Sequence, residues 1–173
     1  MRFLGRSLLV HAVERALALK PAWLGVVLGA RAGRLAAELE GTPVDAIVVA
    51  RDWRRGLSAS LRAGLERVPV GASQLLVTSV DQWALESGDL ERLLRARAKG
   101  AVAAAYGGAV GIPARFPRRS FRALRGLQGD RGARALLAMP GTVAVPMPCA
   151  AIDLDTPDDL ARLRAWRRNQ INK

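Results

Sequence analysis

Cysteine is almost absent: Cys149 stands alone, so no internal disulfide can form, and a reducing cytoplasm is the default compartment. Lysine is nearly as scarce. Lys20, Lys99 and Lys173 are the whole set, and arginine supplies most of the formal net charge of +12. Aromatic residues make up 5% of the chain and do not interleave with the arginines, which argues against a stacking platform for nucleic acid. The basic residues are spread along the chain and are densest over 115–134. That distribution favours polyanionic small ligands, phosphates above all, and makes nucleic acid an unlikely partner. No apolar run approaches the about 18–20 residues that a membrane helix needs. The opening Met1-Arg-Phe-Leu-Gly-Arg-Ser7 is no signal peptide, because Gly5 and Arg6 break its apolar segment.

What is present reads as one domain over 1–173, long enough for a core of its own. Ser7 suits the N-cap of a helix whose Leu8, Leu9, Ala12, Val13, Ala16 and Leu17 recur at helical spacing. His11, Glu14 and Arg15 then point outward, and Pro21 stops the helix. A buried strand is expected over 23–29, a helix over 30–40, a strand over 45–50 and a helix carrying Leu57, Leu61 and Leu65. Further on come a helix over 87–99, a strand over 101–105, and a loop over 106–113 rich in Gly and Pro. Short basic helices are expected over 117–126 and 130–139, with an edge strand over 142–146. Near the end, Thr156 and Pro157 suit the start of a helix, with Asp158 and Asp159 at its positive end.

The focus of the pattern is Asp81. Leu75, Leu76, Val77 and Val80 form a short apolar run that fits a strand buried on both faces of a parallel sheet. In open α/β sheets the ligand crevice lies beyond the carboxyl ends of the strands. A carboxylate there can meet substrate and a divalent cation, which prefers hard oxygen ligands; it can equally cap the next turn. Gly56, Ser58 and Ser60 lie at a helix start, where free N–H groups and small hydroxyls can approach a nucleotide. Ordinary capping and close packing explain them equally well. Asp153 and Asp155 precede the last helix start, and capping does not require them.

Strands and helices alternate, which predicts right-handed crossovers and a three-layer, Rossmann-like, mostly parallel α/β sheet. With that order, the segments Asp52-Trp-Arg-Arg-Gly-Leu-Ser-Ala-Ser-Leu-Arg-Ala-Gly64, Val80-Asp-Gln82, Gly111-Ile-Pro113, Gly129-Asp-Arg-Gly-Ala-Arg134 and Ile152-Asp-Leu-Asp-Thr-Pro-Asp-Asp-Leu160 resemble the nucleotidyltransferases of molybdenum-cofactor maturation, above all the molybdopterin cytidylyltransferases. The resemblance implies transfer of a nucleoside monophosphate from CTP or another NTP to molybdopterin, with release of pyrophosphate. It implies Mg²⁺ held by Asp81 and Asp153, and a nucleotide along Gly56, Ser58 and Ser60. Gly111, Pro113, Asp130, Arg131 and Arg134 would face the pterin. The family's first strand and Gly-rich phosphate loop have no match here, so the chain is expected to be truncated relative to the family at its N-terminus. Trp83 stands for the family's proline and Ile112 for its histidine. A relative that binds cofactor or a molybdoenzyme without turnover is the alternative expectation.

Overall fold

The structure, a computed structural model, describes residues 2–3, 5–129, 137–138 and 140–152. The expected helices over 130–139 and after Thr156 fall largely or wholly outside the described residues. In chain order the elements are β1 (Arg2–Phe3), β2 (Arg6–Ser7), α1 (Leu8–Leu17), β3 (Gly25–Leu28), α2 (Ala32–Ala37), β4 (Ala46–Val49) and α3 (Leu57–Leu65). They continue with β5 (Gln74–Val77), α4 (Ser87–Arg95), β6 (Val102–Tyr106), β7 (Ala109–Pro117), α5 (Phe121–Arg125) and β8 (Val143–Pro146). Ser7 caps α1 as its sequence position predicts, its hydroxyl accepting from the Val10 N–H at 3.3 Å.

The strands form a small hairpin (β1, β2), a parallel pair (β3, β4) and a four-stranded sheet in the order β5-β7-β6-β8. In the larger sheet β7 runs antiparallel to both neighbours, while β6 and β8 are parallel. Side chains alternate across a strand, and the clusters follow that alternation. Ala103, Ala114, Phe116, Leu75 and Val77 pack with Leu61 and Leu65 of α3 and with Phe121 and Leu124 of α5. On the opposite face Val102, Ala104 and Leu76 pack with Leu90 and Leu93 of α4 and with Met147 and Ala150. Helices therefore cover both faces, and the α/β three-layer expectation holds.

The same helices cross from one sheet to the other. Leu65 of α3 belongs to the larger core, yet α3 also lies so close on β3 that a Cβ on Gly64 would meet Val27 Cγ2 at 2.8 Å. On the other face Leu9 and Val13 of α1 pack on Val26 and Leu28. Leu19, just past α1, reaches the α4 cluster. The two sheets thus share packing against α1 and α3. Among the described residues β3 pairs only with β4 and β5 only with β7.

Two expectations are corrected. The run of Leu75, Leu76, Val77 and Val80 was expected to be buried on both faces of a parallel sheet. The three strand residues are half-buried and Val80 is exposed, because β5 is an edge strand paired antiparallel to β7. The loop expected over 106–113 is instead a hairpin. Gly107 and Gly108, at φ 55° and 75°, make a tight turn whose two positive φ values match the twist of the flanking strands. Chain reversal places Gly111, Ile112 and Pro113 inside β7.

Candidate functional site

Asp81 stands in the turn that follows β5, four residues beyond the strand's last residue. The turn closes on itself, the Trp83 N–H donating to the Asp81 carbonyl at 2.8 Å. It is also held from outside. Arg15 of α1, expected to face solvent, turns inward instead, and its Nη1 donates to the carbonyls of Leu85 at 2.7 Å and Trp83 at 3.4 Å. The misreading has a physical cause. Arg15 borders the stripe of Ala12, Ala16 and Leu19, and only the later arrival of residues 83–85 supplies the carbonyls that draw it in. Desolvation lowers its pKa from the ordinary arginine value, with Asp89 and then Cys149 opposing the shift.

Gln82 extends the network. Its side chain is buried, and Nε2 donates to the carbonyls of Ile112 at 2.7 Å and Ala150 at 3.1 Å. One amide therefore ties the Asp81 turn to β7 and to the segment that leads into Asp153. Tyr106 Oη also donates to the Ile112 carbonyl, at 3.0 Å, and a Cβ on Gly111 would meet that oxygen at 2.7 Å. The Ile112–Pro113 peptide is cis, and Pro113 is fully buried. Gly111 and Pro113 thus lie beside the Asp81 turn, Gly111 half-buried and Pro113 fully buried, which removes Pro113 from the residues that could face a ligand.

A second group of expected residues gathers at the start of α3. Gly56 occupies the N-cap at φ 103°, which only glycine adopts without strain. Ser58 is 1% exposed, and its Oγ has no hydrogen-bond partner among the described residues. Ser60 is half-buried two residues further on. The Ser58 N–H reaches the Gly129 carbonyl at 3.4 Å, and Arg62 Nη1 donates to the Leu127 carbonyl at 2.6 Å. Residues 127–129 are therefore fastened along α3. Asp130, Arg131, Arg134 and Asp153 lie outside the described residues.

Asp81 Oδ1 and Glu38 Oε2 are the buried carboxylate oxygens with no hydrogen-bond partner among the described residues, and of the two Asp81 stands in the turn beyond a strand. An orphaned hard oxygen fits a divalent cation of the Mg²⁺ or Mn²⁺ type. Among the described residues no three His, Cys, Asp or Glu side chains gather as a metal cage. Mg²⁺ does not demand one, since it commonly takes one or two carboxylates and completes its shell with water and substrate phosphates. The sequence reading missed Arg15, Arg62 and Tyr106 as supports of this region. It quoted Gln82 only as part of a motif. Arg15, Arg62 and Gln82 donate to backbone carbonyls 30 to 70 residues away, which no local pattern announces, and Tyr106 reaches Ile112 only because the chain reverses between them. No helix among the described residues is long and apolar enough to cross a membrane.

The fold is the Rossmann-like α/β architecture found in nucleotidyltransferases. Residues 1–145 match the MobA-like NTP transferase domain, and the chain belongs to that family. Among solved structures, Rv0371c from Mycobacterium tuberculosis H37Rv superposes with a TM-score of 0.80 at 25% identity, over 94% of this chain and 86% of that one. The same protein in complex with manganese gives a TM-score of 0.75 at 25% identity, over 94% and 88%. The molybdopterin-guanine dinucleotide biosynthesis protein A of Archaeoglobus fulgidus shares the fold, with a TM-score of 0.65 at 18% identity over 94% and 86%. No curated protein matches the chain.

Proposed function

We propose that this chain transfers a nucleoside monophosphate, CMP from CTP, to molybdopterin. In the reaction a phosphate oxygen of the acceptor bonds to the α-phosphorus of the NTP. The bond from that phosphorus to the bridging oxygen breaks, and pyrophosphate leaves. Asp81 and Asp153 would hold the Mg²⁺, which when bound neutralises charge developing on the phosphates. Gly56 lets the chain approach the nucleotide without a side chain in the way. Ser60 Oγ, half-buried, offers a hydrogen bond to base or ribose, while Ser58, 1% exposed, supports the start of α3 from within. Arg131 and Arg134, with Gly111 and Asp130, would orient the anionic pterin, and the fully buried Pro113 would support Gly111 from within β7. Phosphoryl transfer asks little more of a protein than in-line placement and charge neutralisation.

The observation that carries this reading is the unpartnered, buried Oδ1 of Asp81 in a turn joined through Gln82 to the 111–113 strand and to Ala150. Ala150 precedes Asp153 by three residues, so chain connectivity keeps their Cα atoms within about 11 Å. The manganese complex of Rv0371c supports a divalent cation in a relative of this chain. Calorimetry with CTP and Mg²⁺ on the intact chain and on Asp81→Ala tests the assignment. Binding is expected to the first and to be lost in the second; equal binding discards Asp81 as the metal ligand.

A second reading, a relative that binds cofactor or a molybdoenzyme without turnover, is favoured by the split sheet. One edge each of β3 and β5 lacks a ladder partner among the described residues, and an unpaired edge gives a nucleotide site a less rigid floor. Pyrophosphate release from CTP in the presence of molybdopterin decides for transfer; tight CTP binding with no pyrophosphate decides for the second reading.

A further inference from the structure

β4 is an unprotected edge. Ala46, Ile47, Val48 and Val49 carry no charge, and among the described residues the strand pairs only with β3. An open edge is a template for a further strand, and proteins commonly blunt one with lysine, proline or a bulge. β8, the outer strand of the larger sheet, ends in Pro146. β4 has no such guard, and its Ile47 and Val49 are 39% and 53% exposed.

The backbone shows which groups are free. The Ala46 and Ala50 N–H groups donate to the carbonyls of Leu24 and Leu28, so the even-numbered residues of this stretch turn their N–H and C=O toward β3. Those of Ile47 and Val49 point away from it, because the direction alternates along a strand. The two side chains also share a face. On that face their register partners Val26 and Leu28 are buried under α1, and the apolar surface continues uncovered onto Ile47 and Val49.

A second copy fits this edge about a two-fold axis. In an antiparallel pair, opposite residues exchange both N–H···O bonds only where both face the seam, so odd-numbered residues must oppose odd-numbered ones. With the axis through Val48, Ile47 lies opposite the partner's Val49, and each end of the seam repeats the match. The same register sets Asp45 opposite the partner's Arg51. Asp45 and Arg51 are exposed and have no ion-pair partner among the described residues. Asp45 Oδ2 accepts the Leu24 N–H at 2.7 Å, which holds the carboxylate at its end of the strand. Moving the axis to Ile47 or to Val49 loses the charge pairing, since Arg51 then faces the partner's Pro43 or the partner's Ile47. Copies of a chain of net charge +12 repel one another, so a contact between them has to be locally neutral. This one is.

We infer that the chain forms a two-fold dimer by antiparallel pairing of β4 with β4 of a second copy, joining the two smaller sheets into one. An isologous interface built on one short strand belongs with the small, transient class, under about 1,200 Å². The copies therefore separate on dilution, where stability measurements report a single chain.

Sedimentation equilibrium of the intact chain from about 1 μM to about 1 mM tests the inference. The weight-average mass should climb toward that of a dimer in the wild type and stay at that of one chain in Ile47→Lys, whose new charge lies on an exposed position and should leave the thermal melt of the dilute protein unchanged. Arg51→Glu, which opposes two carboxylates at each end, should associate at least about 10-fold more weakly. The register has its own readout in a Cys149→Ala background. Val48→Cys should form a disulfide-linked dimer under mild oxidation, because the two Cα atoms on the axis lie about 4.5 Å apart, within disulfide reach. Ile47→Cys should link far more slowly, its diagonal Cα separation being about 7–8 Å. A wild-type chain that stays monomeric at the highest concentration overturns the inference. Association that Ile47→Lys leaves unchanged also overturns it and moves the contact to another edge, β3 or β5. Arg51→Glu that associates as the wild type does, or faster linkage at position 47 than at 48, overturns the register and the inference with it.

Discussion

The four-stranded sheet and the two-stranded sheet pack against shared helices, yet they are finished to different degrees. In the larger one Val102, Ala103, Ala104, Ala114 and Phe116 are all at 0% exposure. In the smaller, Val27, Ile47 and Val49 remain exposed although they are strand residues of the most apolar type. The difference is one of neighbours. β6 and β7 have a strand on each side and helices above and below, whereas β3 has a ladder on one side and β4 a helix over little of its length. Burial of an apolar side chain contributes about 1.5–3 kcal/mol, so the larger sheet should dominate the stability of the whole. The Asp81 turn grows out of β5, the edge of the larger sheet, and is held by α1, whose main packing is on the smaller.

The sharpest way to break that comparison is to cut one strand side chain in each sheet back to its β-carbon. Phe116→Ala should cost about 3–5 kcal/mol by chemical denaturation, the range for a fully buried aromatic. Val49→Ala should cost no more than about 0.5 kcal/mol, as for an ordinary surface change. Comparable losses from the two would show that the smaller sheet is packed against something the described residues do not include.

Glycine offers a second contrast. A Cβ at Gly100 would lie 2.1 Å from the carbonyl oxygen of Gly141, a backbone atom that cannot swing away. That clash sits where the chain enters β6 and β8, so Gly100→Ala should lower stability by about 1–3 kcal/mol, the cost of overpacking. Gly33 in α2 has open space around its Cβ position. Gly33→Ala should stabilise by about 0.4–1 kcal/mol through the unfolded chain. Thermal melts of the two variants check both signs at once.

Asp81 differs from all of these because its interest is not in stability. Asp81→Ala removes a buried, unpartnered oxygen and should leave the melt of the metal-free protein close to that of wild type. The stabilisation that Mn²⁺ gives the wild-type chain should disappear, since a ligand stabilises only the state that binds it. A melt that still rises with Mn²⁺ would move the metal site elsewhere.

Local patterns made most of the elements legible, and the misses share a cause. The Ser7 cap, the strand over 46–49 and the edge strand over 143–146 follow from periodicity and residue type within a few positions. The β6–β7 hairpin did not, because Gly111 and Pro113 look like breakers. What makes β7 a strand is its pairing with β5 and β6, a fact about other parts of the chain. Leu75, Leu76 and Val77 were read rightly as a strand but wrongly as a central one, since composition does not reveal which edge lacks a neighbour. In the site, Asp81, Gly111 and Ser58 were visible as residue types at suggestive positions. Arg15, Gln82 and Arg62 act on carbonyls between 30 and 70 residues away, and nothing near them in sequence points there.

The smallest expected effect concerns the segment ahead of Ala150, at Cys149. Burial first, then the charge of Asp89 and the hydrogen bond to it, push this thiol up to about 11 from an ordinary value of 9.0. Only the thiolate is nucleophilic, so alkylation by iodoacetamide at pH 8 should be slower than for an unstructured cysteine peptide, and should quicken as pH rises toward 11. Asp89→Asn removes the charge that opposes ionisation and should bring the rate profile to lower pH. The stability consequence has a definite sign. A thiol whose folded-state pKa lies above its unfolded value favours the fold below the unfolded value, and that contribution fades as pH rises from 9 toward 11. The melting temperature of the wild-type chain should therefore fall more steeply over that window than that of Cys149→Ala. Parallel slopes in the two proteins, or an alkylation profile unmoved by Asp89→Asn, would mean that the contact of Cys149 Sγ with Asp89 Oδ2 at 3.4 Å does not hold the chain ahead of Ala150 to α4.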